Sequence, residues 1–202
     1  MKNPFARARF TLGVASLAQL PPDCGAEVAF AGRSNAGKSS AINTITAQKA
    51  LARTSKTPGR TREINVFSLD AAHRLVDLPG FGYARAPATV RRRWDHALPR
   101  YLQTRASLRG LMLVMDIRHP LTDYDLTLLQ WCTANTMPVH VLLCKSDKFR
   151  RARRAAALRE VEHALEVFGV GVSVQSFSSL KRQGVDTARQ VLGCWLELAD
   201  CD

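Results

Sequence analysis

The stretch that most restricts what this chain can become is GRSNAGKSS, Gly32 to Ser40. An apolar run from Ala26 to Ala31 leads into it, and an amphipathic stretch follows. The pattern is G-x-x-x-x-G-K-[ST], the sequence of a phosphate-cradling loop between a strand and a helix. In such a loop backbone N–H groups turn inward on phosphate oxygens. Gly32 and Gly37 supply conformations or close approaches that a side chain would block, with Arg33, Ser34, Asn35 and Ala36 forming the loop between them. The helix starting near Lys38 adds its positive N-terminal end. Lys38 is expected to reach the β- and γ-phosphates, and Ser39, the first of the hydroxyl pair Ser39–Ser40, to offer its oxygen to Mg²⁺. A plain glycine-rich turn is the alternative.

At 202 residues the chain is expected to form one domain around a single substantial core. A hydrophobic fraction of 46% and a charged fraction of 23% place it among soluble globular proteins. No apolar run approaches the ~20 residues needed to cross a bilayer, so no membrane span is expected. The opening MKNPFARARFTLGVASLAQLPP is a faint echo of a signal or transit peptide, but Ser16 and Gln19 interrupt it and it is set aside. The cysteines, Cys24, Cys132, Cys144, Cys194 and Cys201, are odd in number and contain no C-x-x-C. That argues against a disulfide framework or a zinc site and for a reducing, cytoplasmic setting.

After a lead-in segment over residues 1–25, short apolar runs alternate with longer amphipathic ones through a single domain over residues 26–202. Strands are expected at 26–32, 64–69, 73–78, 110–116, 139–144 and 170–175. Helices are expected at 38–47, 89–105, 122–135, 149–168 and 182–199. Runs such as LMLVMD and VHVLLC are apolar throughout, as in strands covered on both faces. The class is therefore α/β, a mostly parallel six-stranded sheet with helices on both faces. Ligands of such sheets sit at the carboxyl ends of the strands. Gly32, Asp77, Asp116, Lys145 and Phe177 all fall at or just past those ends.

Two further strings carry chemistry. In LVDLPGFGYA a strand ends in Asp77 and Pro79-Gly80 turns the chain. An Asp there can hold Mg²⁺, usually through water, beside a phosphate loop; a plain strand-to-turn exit is the alternative. In VLLCKSDKF a buried strand ends in Cys144, Lys145, Ser146 and Asp147. A carboxylate at Asp147 can accept from the guanine N1–H and 2-amino group together. Adenine presents no such donor pair, so its binding would leave the charge unpaired. The aliphatic stem of Lys145 can lie over the flat base. SFSS follows the next strand, and the backbone amides of Phe177, Ser178 and Ser179 can reach the guanine oxygen.

In order and spacing these elements resemble the five signature elements of small GTPases. GRSNAGKSS, SKTPGRTREINVF, DLPGFGYA, CKSD and FSSLKRQGVD are similar to the strings of the bacterial EngB/YihA/YsxC family of GTP-binding proteins, and the resemblance covers nearly the whole chain. It implies the three-layer P-loop GTPase (G domain) fold, GTP hydrolysis, Mg²⁺, and GTP or GDP as ligand. It implies that Gly59, Arg60, Thr61, Arg62 and Glu63 form the first switch, with Thr61 as second Mg²⁺ hydroxyl ligand closing over the γ-phosphate. Leu78, Pro79 and Gly80 join Asp77 in the nucleotide site, and the second switch runs from Gly80 to about Thr89. Lys38 and Thr61 are the residues expected to serve hydrolysis. The family's roles imply work in large-subunit ribosome assembly and in normal cell division and septation.

Many GTPases place a Gln just after the second-switch glycine to orient the attacking water. Here that position is Phe81, which cannot hydrogen-bond to water, so unassisted hydrolysis is expected to be slow. At Asn35 the loop resembles those of GTPases in which an Asn coordinates K⁺ against the phosphates; shaping of the loop is the alternative. Two departures stand out. Ala36 replaces the usual valine, where only the backbone is wanted. Cys144 stands where the family usually has Thr and most GTPases have Asn; a thiol is a weaker hydrogen-bond partner, so a looser tether to the phosphate loop is expected.

The net charge of +12 and pI of about 10.2 point to a polyanionic partner, nucleic acid before an anionic membrane surface. Of 29 basic residues 22 are Arg, which suits RNA phosphates; genome-wide bias is the alternative. Arg150, Arg151, Arg153 and Arg154 open a predicted helix, where its dipole disfavours cations. They, and Arg91, Arg92 and Arg93, are read as rRNA-facing or as a solvated charged face. The five histidines show no ligand spacing, and Trp94, Trp131 and Trp195 are expected in the core. A small ATP-dependent kinase would leave CKSD unexplained, and an RNA-binding module with a vestigial nucleotide site is the remaining reading. The preferred one is a monomeric Mg²⁺-dependent GTPase engaging rRNA or the large ribosomal subunit.

Overall fold

Three strands have almost no polar face. All seven residues of β2 (Ala26–Gly32) and all six of β6 (Val139–Cys144) are buried, and in β5 (Leu108–Asp116) only Arg109 is exposed. Strands like these must be covered on both sides. In the computed structural model, which describes residues 3–53, 63–80 and 97–198, they form the middle of a seven-stranded sheet. The other strands are β1 (Arg9–Val14), β3 (Ile64–Ser68), β4 (His73–Asp77) and β7 (Val172–Ser176). The order is β1-β3-β4-β2-β5-β6-β7. Pairs β2·β4, β2·β5, β5·β6 and β6·β7 are parallel, and β1·β3 and β3·β4 antiparallel.

Alternate residues of a strand face opposite sides, and this builds two cores. Val28 and Phe30 join Ile42 and Ile45 of α1 (Lys38–Ile45) and Ala188 and Leu192 of α5 (Val185–Trp195). Ala29 and Ala31 face the other way, toward Tyr101 and Leu102 of α2, whose described residues are 97–104. With them pack Leu128 and Leu129 of α3 (Asp123–Ala134) and Val161 and Leu165 of α4 (Arg151–Leu165). The result is the expected three layers. Trp195 packs against the first core, its ring lying where a Cβ on Gly110 would stand, 2.5 Å from that position. Trp131 is half-buried, and Trp94 lies outside the described residues.

The sheet has seven strands where the sequence predicts six. The added strand, β1, falls within residues 1–25 and pairs antiparallel with β3, with a register shift between Phe10 and Leu12. It was hard to see because most of it is solvent-exposed: Phe10 is 56% exposed and is held by an edge-on contact with Phe67, ring centroids 6.1 Å apart. The segment before it is anchored more deeply. Phe5 is buried in the same core as Phe30, Asn3 Nδ2 donates to the Ile45 carbonyl at 3.1 Å, and Gln48 Nε2 donates to the Ala8 carbonyl at 2.7 Å.

Boundaries differ where turns intervene. Helix α5 starts at Val185 rather than 182 because Ser178 and Gln183 exchange backbone hydrogen bonds, both 3.1 Å, before Gly184 turns into the helix at φ 74°. Strand β7 starts at Val172, whose N–H closes a turn onto the Gly169 carbonyl. Of the predicted helix 89–105, residues 97–104 are helical and 89–96 lie outside the described residues.

The amino ends of the strands carry a buried ionic cluster. Glu27, fully buried, accepts from Arg105 Nε on Oε1 and from Arg105 Nη2 on Oε2, the latter at 3.3 Å, and Arg74 Nε lies 3.4 Å from the same Oε2. Arg105 also donates to the Pro21 carbonyl at 2.9 Å and Arg74 to that of Cys24. Asp23 accepts the backbone N–H of Ala106 and Ser107 at 2.9 and 2.8 Å. No helix among the described residues is long and apolar enough to cross a membrane.

Candidate functional site

The phosphate loop bridges β2 and α1 at the opposite, carboxyl edge of the sheet. A turn closes inside it, Ala36 N–H donating to the Arg33 carbonyl at 3.0 Å. Gly37 is the N-cap of α1 at φ 119°, a conformation L side chains avoid, and a Cβ there would stand 3.3 Å from Cys144 Cβ. Arg33 and Asn35 are exposed, and Ser34, Ser39 and Ser40 half-buried. Ala36 is buried in the core with Phe30 and Phe177, so this position asks for an apolar side chain as well as for backbone.

Lys38, in the first turn of α1, is buried and donates to Asp77, which is 2% exposed at the end of β4. A cation and a carboxylate thus meet where two parallel strands end. One can take a phosphate oxygen and the other a hard cation. Leu78 N–H continues the β4–β2 pairing by donating to the Phe30 carbonyl at 3.0 Å. Pro79 is buried and Gly80 half-buried, and a Cβ on Gly80 would stand 3.2 Å from Ser34 Cα, so the DLPG turn packs directly on the phosphate loop. Beside Pro79 and Gly80 opens a cavity of about 460 Å³ lined by Leu98, Leu102, Tyr124 and Trp131, among others. It shares only the turn with the loop and is not where Lys38 and Asp77 meet.

The CKSD segment leaves β6 and is tied to the same loop. Lys145 adopts φ 61°, and its Nζ donates to the Asn35 carbonyl at 2.6 Å and to Asp116 Oδ2 at 2.9 Å. Asp116, at the end of β5, also accepts from Arg118 Nε and Nη2 at 2.9 and 2.6 Å. Burial pushes the Asp116 carboxyl up, but the hydrogen bonds from Arg118 and Lys145 outweigh it and hold the group well below the usual carboxylate range. Cys144 is buried against Gly37, and burial pushes its thiol up to about 12, so it packs as a small neutral side chain. The tether between the two loops therefore runs through the Lys145 ammonium and the packing of Cys144 on Gly37.

Asp147 is half-buried, and its Oδ1 accepts from Ser178 Oγ at 2.6 Å. Ser178 is fully buried, accepts Lys181 N–H on the same oxygen at 3.1 Å, and exchanges backbone hydrogen bonds with Gln183. Ser146 N–H donates to the Phe177 carbonyl at 3.1 Å, while Phe177 N–H donates to the Leu143 carbonyl. These bonds bring CKSD and SFSS side by side, with Ser179 half-buried at the turn that follows. A carboxylate so oriented can accept a pair of donors from a flat base.

The fold thus gathers Gly32–Ser40, Asp77–Gly80, Cys144–Asp147 and Phe177–Ser179 at one edge. Glu63 is exposed, its carboxylate beside Gly13 of β1. Gly59, Arg60, Thr61 and Arg62 lie outside the described residues, as do Phe81 and Arg91–Arg93. Two residues join the site without having been assigned a part in it. Asp116 holds Lys145; its position at a strand end was visible in the sequence, its partner was not. Gln183 closes the loop that holds Ser178, and no pattern in the sequence singles it out. Of the histidines, His140 is buried, with Nδ1 2.7 Å from Ser173 Oγ and Nε2 2.9 Å from Gln175 Oε1. That is a structural role, and burial lowers its pKa.

Comparison with known proteins adds three findings. The sequence model of a family described as 50S ribosome-binding GTPase matches residues 27–145. Proteins named probable GTP-binding protein EngB from Salmonella newport (strain SL254) and Salmonella typhi are each 53% identical over 196 residues, covering 96% of this chain and 93% of the relative. The crystal structure of a probable GTP-binding protein engB superposes with a TM-score of 0.68 at 23% identity, over 86% of this chain and 100% of that one. Era of Aquifex aeolicus bound to GDP and aluminium fluoride superposes with a TM-score of 0.66 at 18% identity, over 87% and 57%. These two structures share the fold.

Proposed function

Because the chain belongs to the EngB family of GTP-binding proteins and is a GTPase, we propose that it is a Mg²⁺-dependent nucleotide switch acting on the large ribosomal subunit during assembly. The observation that carries the nucleotide part is the convergence of Lys38–Asp77 with the Asp147–Ser178 pair, joined by Lys145 on the Asn35 carbonyl. In this reading Gly32 to Ser40 cradle the phosphates and Lys38 takes the β/γ oxygens. Asp147 accepts the guanine N1–H and amino group, Lys145 covers the base, and Phe177 to Ser179 address its oxygen. Ser39, Thr61 and, through water, Asp77 would hold Mg²⁺. Their donors are hard oxygens, and the buried Asp77 beside the loop fits such an ion. When bound, Mg²⁺ neutralises charge on the β- and γ-phosphates. Lys38 and Thr61 remain the residues assigned to hydrolysis, with Gly59–Glu63 as first switch.

At Asn35 the loop-shaping role has more support than K⁺ coordination. The residue takes φ 64° and gives its carbonyl to Lys145, a part its backbone performs. The ribosomal part of the proposal is supported by the family's description, by the +12 charge, and by exposed Arg150, Arg151 and Arg153. An Era structure of TM-score 0.66 is a complex with MgGDPNP and a segment of 16S ribosomal RNA, which is a statement about that protein. We place the protein in the cytoplasm, as a monomer whose domain over 26–202 is completed by the lead-in, which adds β1 to its sheet, and take normal cell division and septation as the processes that its loss disturbs. Co-sedimentation with purified large subunits, in GDP and in a non-hydrolysable GTP analogue, tests this. Pelleting that depends on the analogue is expected; absence from the pellet in both nucleotides would remove the ribosomal role and leave the GTPase.

A further inference from the structure

Helix α4 opens in a way that costs stability. Arg150 is its N-cap and makes no capping hydrogen bond, and the first turn contains no acidic residue. Arg151, Arg153 and Arg154 follow, each opposing the helix dipole. Arg150, Arg151 and Arg153 are exposed, Arg153 with its guanidinium 4.3 Å from the centre of the Phe149 ring.

Arg154 is different. It is half-buried, and its Nη1 donates to Gln183 Oε1 at 3.0 Å. Gln183 exchanges two backbone hydrogen bonds with Ser178, both 3.1 Å, and Ser178 Oγ donates to Asp147 Oδ1 at 2.6 Å. An unbroken line of polar contacts therefore runs from the first turn of α4 to the carboxylate assigned to guanine. That contact brings the turn that carries the exposed Lys181 and Arg182 against the start of α4, where Lys148, Arg150, Arg151 and Arg153 are exposed; these residues are taken together as one basic rim. Lys181 is a second handle, since its N–H donates to the same Ser178 oxygen at 3.1 Å.

We propose that this rim binds RNA phosphates and thereby loosens the grip on the guanine nucleotide: phosphate drawn onto Arg154 takes its guanidinium from Gln183 and releases the Ser178 bridge that orients Asp147. The inference rests on the RNA reading above and adds the regulation of the guanine site. In the bond to phosphate both partners are charged and the guanidinium fork can be used bidentately, whereas Gln183 offers one neutral oxygen, so phosphate outcompetes Gln183 for Arg154. The Arg fork pairs with phosphate and carboxylate alike; RNA is favoured over an acidic protein because the family is described as ribosome-binding. Coupling between sites is reciprocal, so GDP weakens RNA binding by the same factor.

Titration of fluorescent GDP in the presence of poly(U), with polyglutamate as comparison, tests this. Saturating poly(U) is expected to weaken GDP about fivefold. Gln183→Ala keeps every cation of the rim but already lacks the contact with Arg154. It should bind GDP about fivefold more weakly than the parent without RNA, bind poly(U) no more weakly than the parent, and show no further loss of GDP affinity on doing so. If poly(U) binds the parent and GDP affinity stays constant, the coupling is wrong while the RNA reading stands. Coupling of parental size in Gln183→Ala overturns the route through Arg154. A polyglutamate effect larger than that of poly(U) overturns the assignment of the partner as RNA. If poly(U) does not bind the parent, the RNA reading fails and this inference with it.

Discussion

Opposite charges meet at both ends of strands β2 and β4. At their amino ends Glu27 and Arg74 sit with Arg105; at their carboxyl ends lie the phosphate loop and the Lys38–Asp77 pair. At the amino end two guanidinium groups share one fully buried carboxylate, and both also donate to backbone carbonyls, Arg105 to those of Pro21 and Pro22 and Arg74 to that of Cys24. At the carboxyl end the partners are ones that a nucleotide and a cation can take over: Lys38 can leave Asp77 for phosphate, and the Asp147 carboxylate keeps capacity beyond its bond to Ser178. One end is a clasp and the other an exchange site, although both pair opposite charges at the ends of the same two strands.

The largest expected effect comes from opening the clasp. Glu27→Ala leaves Arg74 and Arg105 buried without their carboxylate and should lower unfolding free energy by about 3–5 kcal/mol. Urea unfolding measures it, and a loss below about 1 kcal/mol would show that the cluster is not the clasp described. The fraction that stays folded should keep its preference for guanine, since the site lies at the opposite edge.

The exchange end should respond the other way round. Asp147→Asn is expected to weaken GDP by roughly tenfold or more and to gain xanthine nucleotide, whose edge complements an amide, with little change in unfolding. Nucleotide titration of the two proteins decides it; comparable GDP affinities would mean that the base is read by other groups.

The smallest effect tests Asp116, which belongs to neither extreme. Its carboxyl is held below the ordinary value of 3.8, so the folded protein binds that proton less readily than the unfolded chain. Its contribution is therefore fully present above that ordinary value and is lost as the pH falls below it, toward the lowered value. Asp116→Asn should melt slightly below the parent near neutral pH, and the gap should close in acid below about pH 4. A gap that persists there would place the effect in packing rather than in the bonds to Arg118 and Lys145.

The parts of the site that could be read directly are those made by neighbours in the chain. A phosphate loop works through successive backbone amides and a helix start, so GRSNAGKSS carries its geometry within itself. The same holds for Asp77 before Pro79-Gly80 and for CKSD after VHVLLC, each a strand end followed at once by its turn. The apolar runs of β2, β5 and β6 likewise declared a sheet covered on both faces. Tertiary structure decided the rest. Strand β1 has an exposed face and little apolar patterning, and only its pairing with Ile64–Ser68 makes it a strand. Asp116 meets Lys145 across 29 residues, Arg154 meets Gln183 across 29, and Arg105 meets Glu27 across 78. A lone Arg or Asp has no local conformation that reveals its partner. Backbone preferences act over a few residues and are written in the sequence as strings, whereas an ion pair needs only that two distant strand or helix ends converge, and packing of the layers sets that convergence.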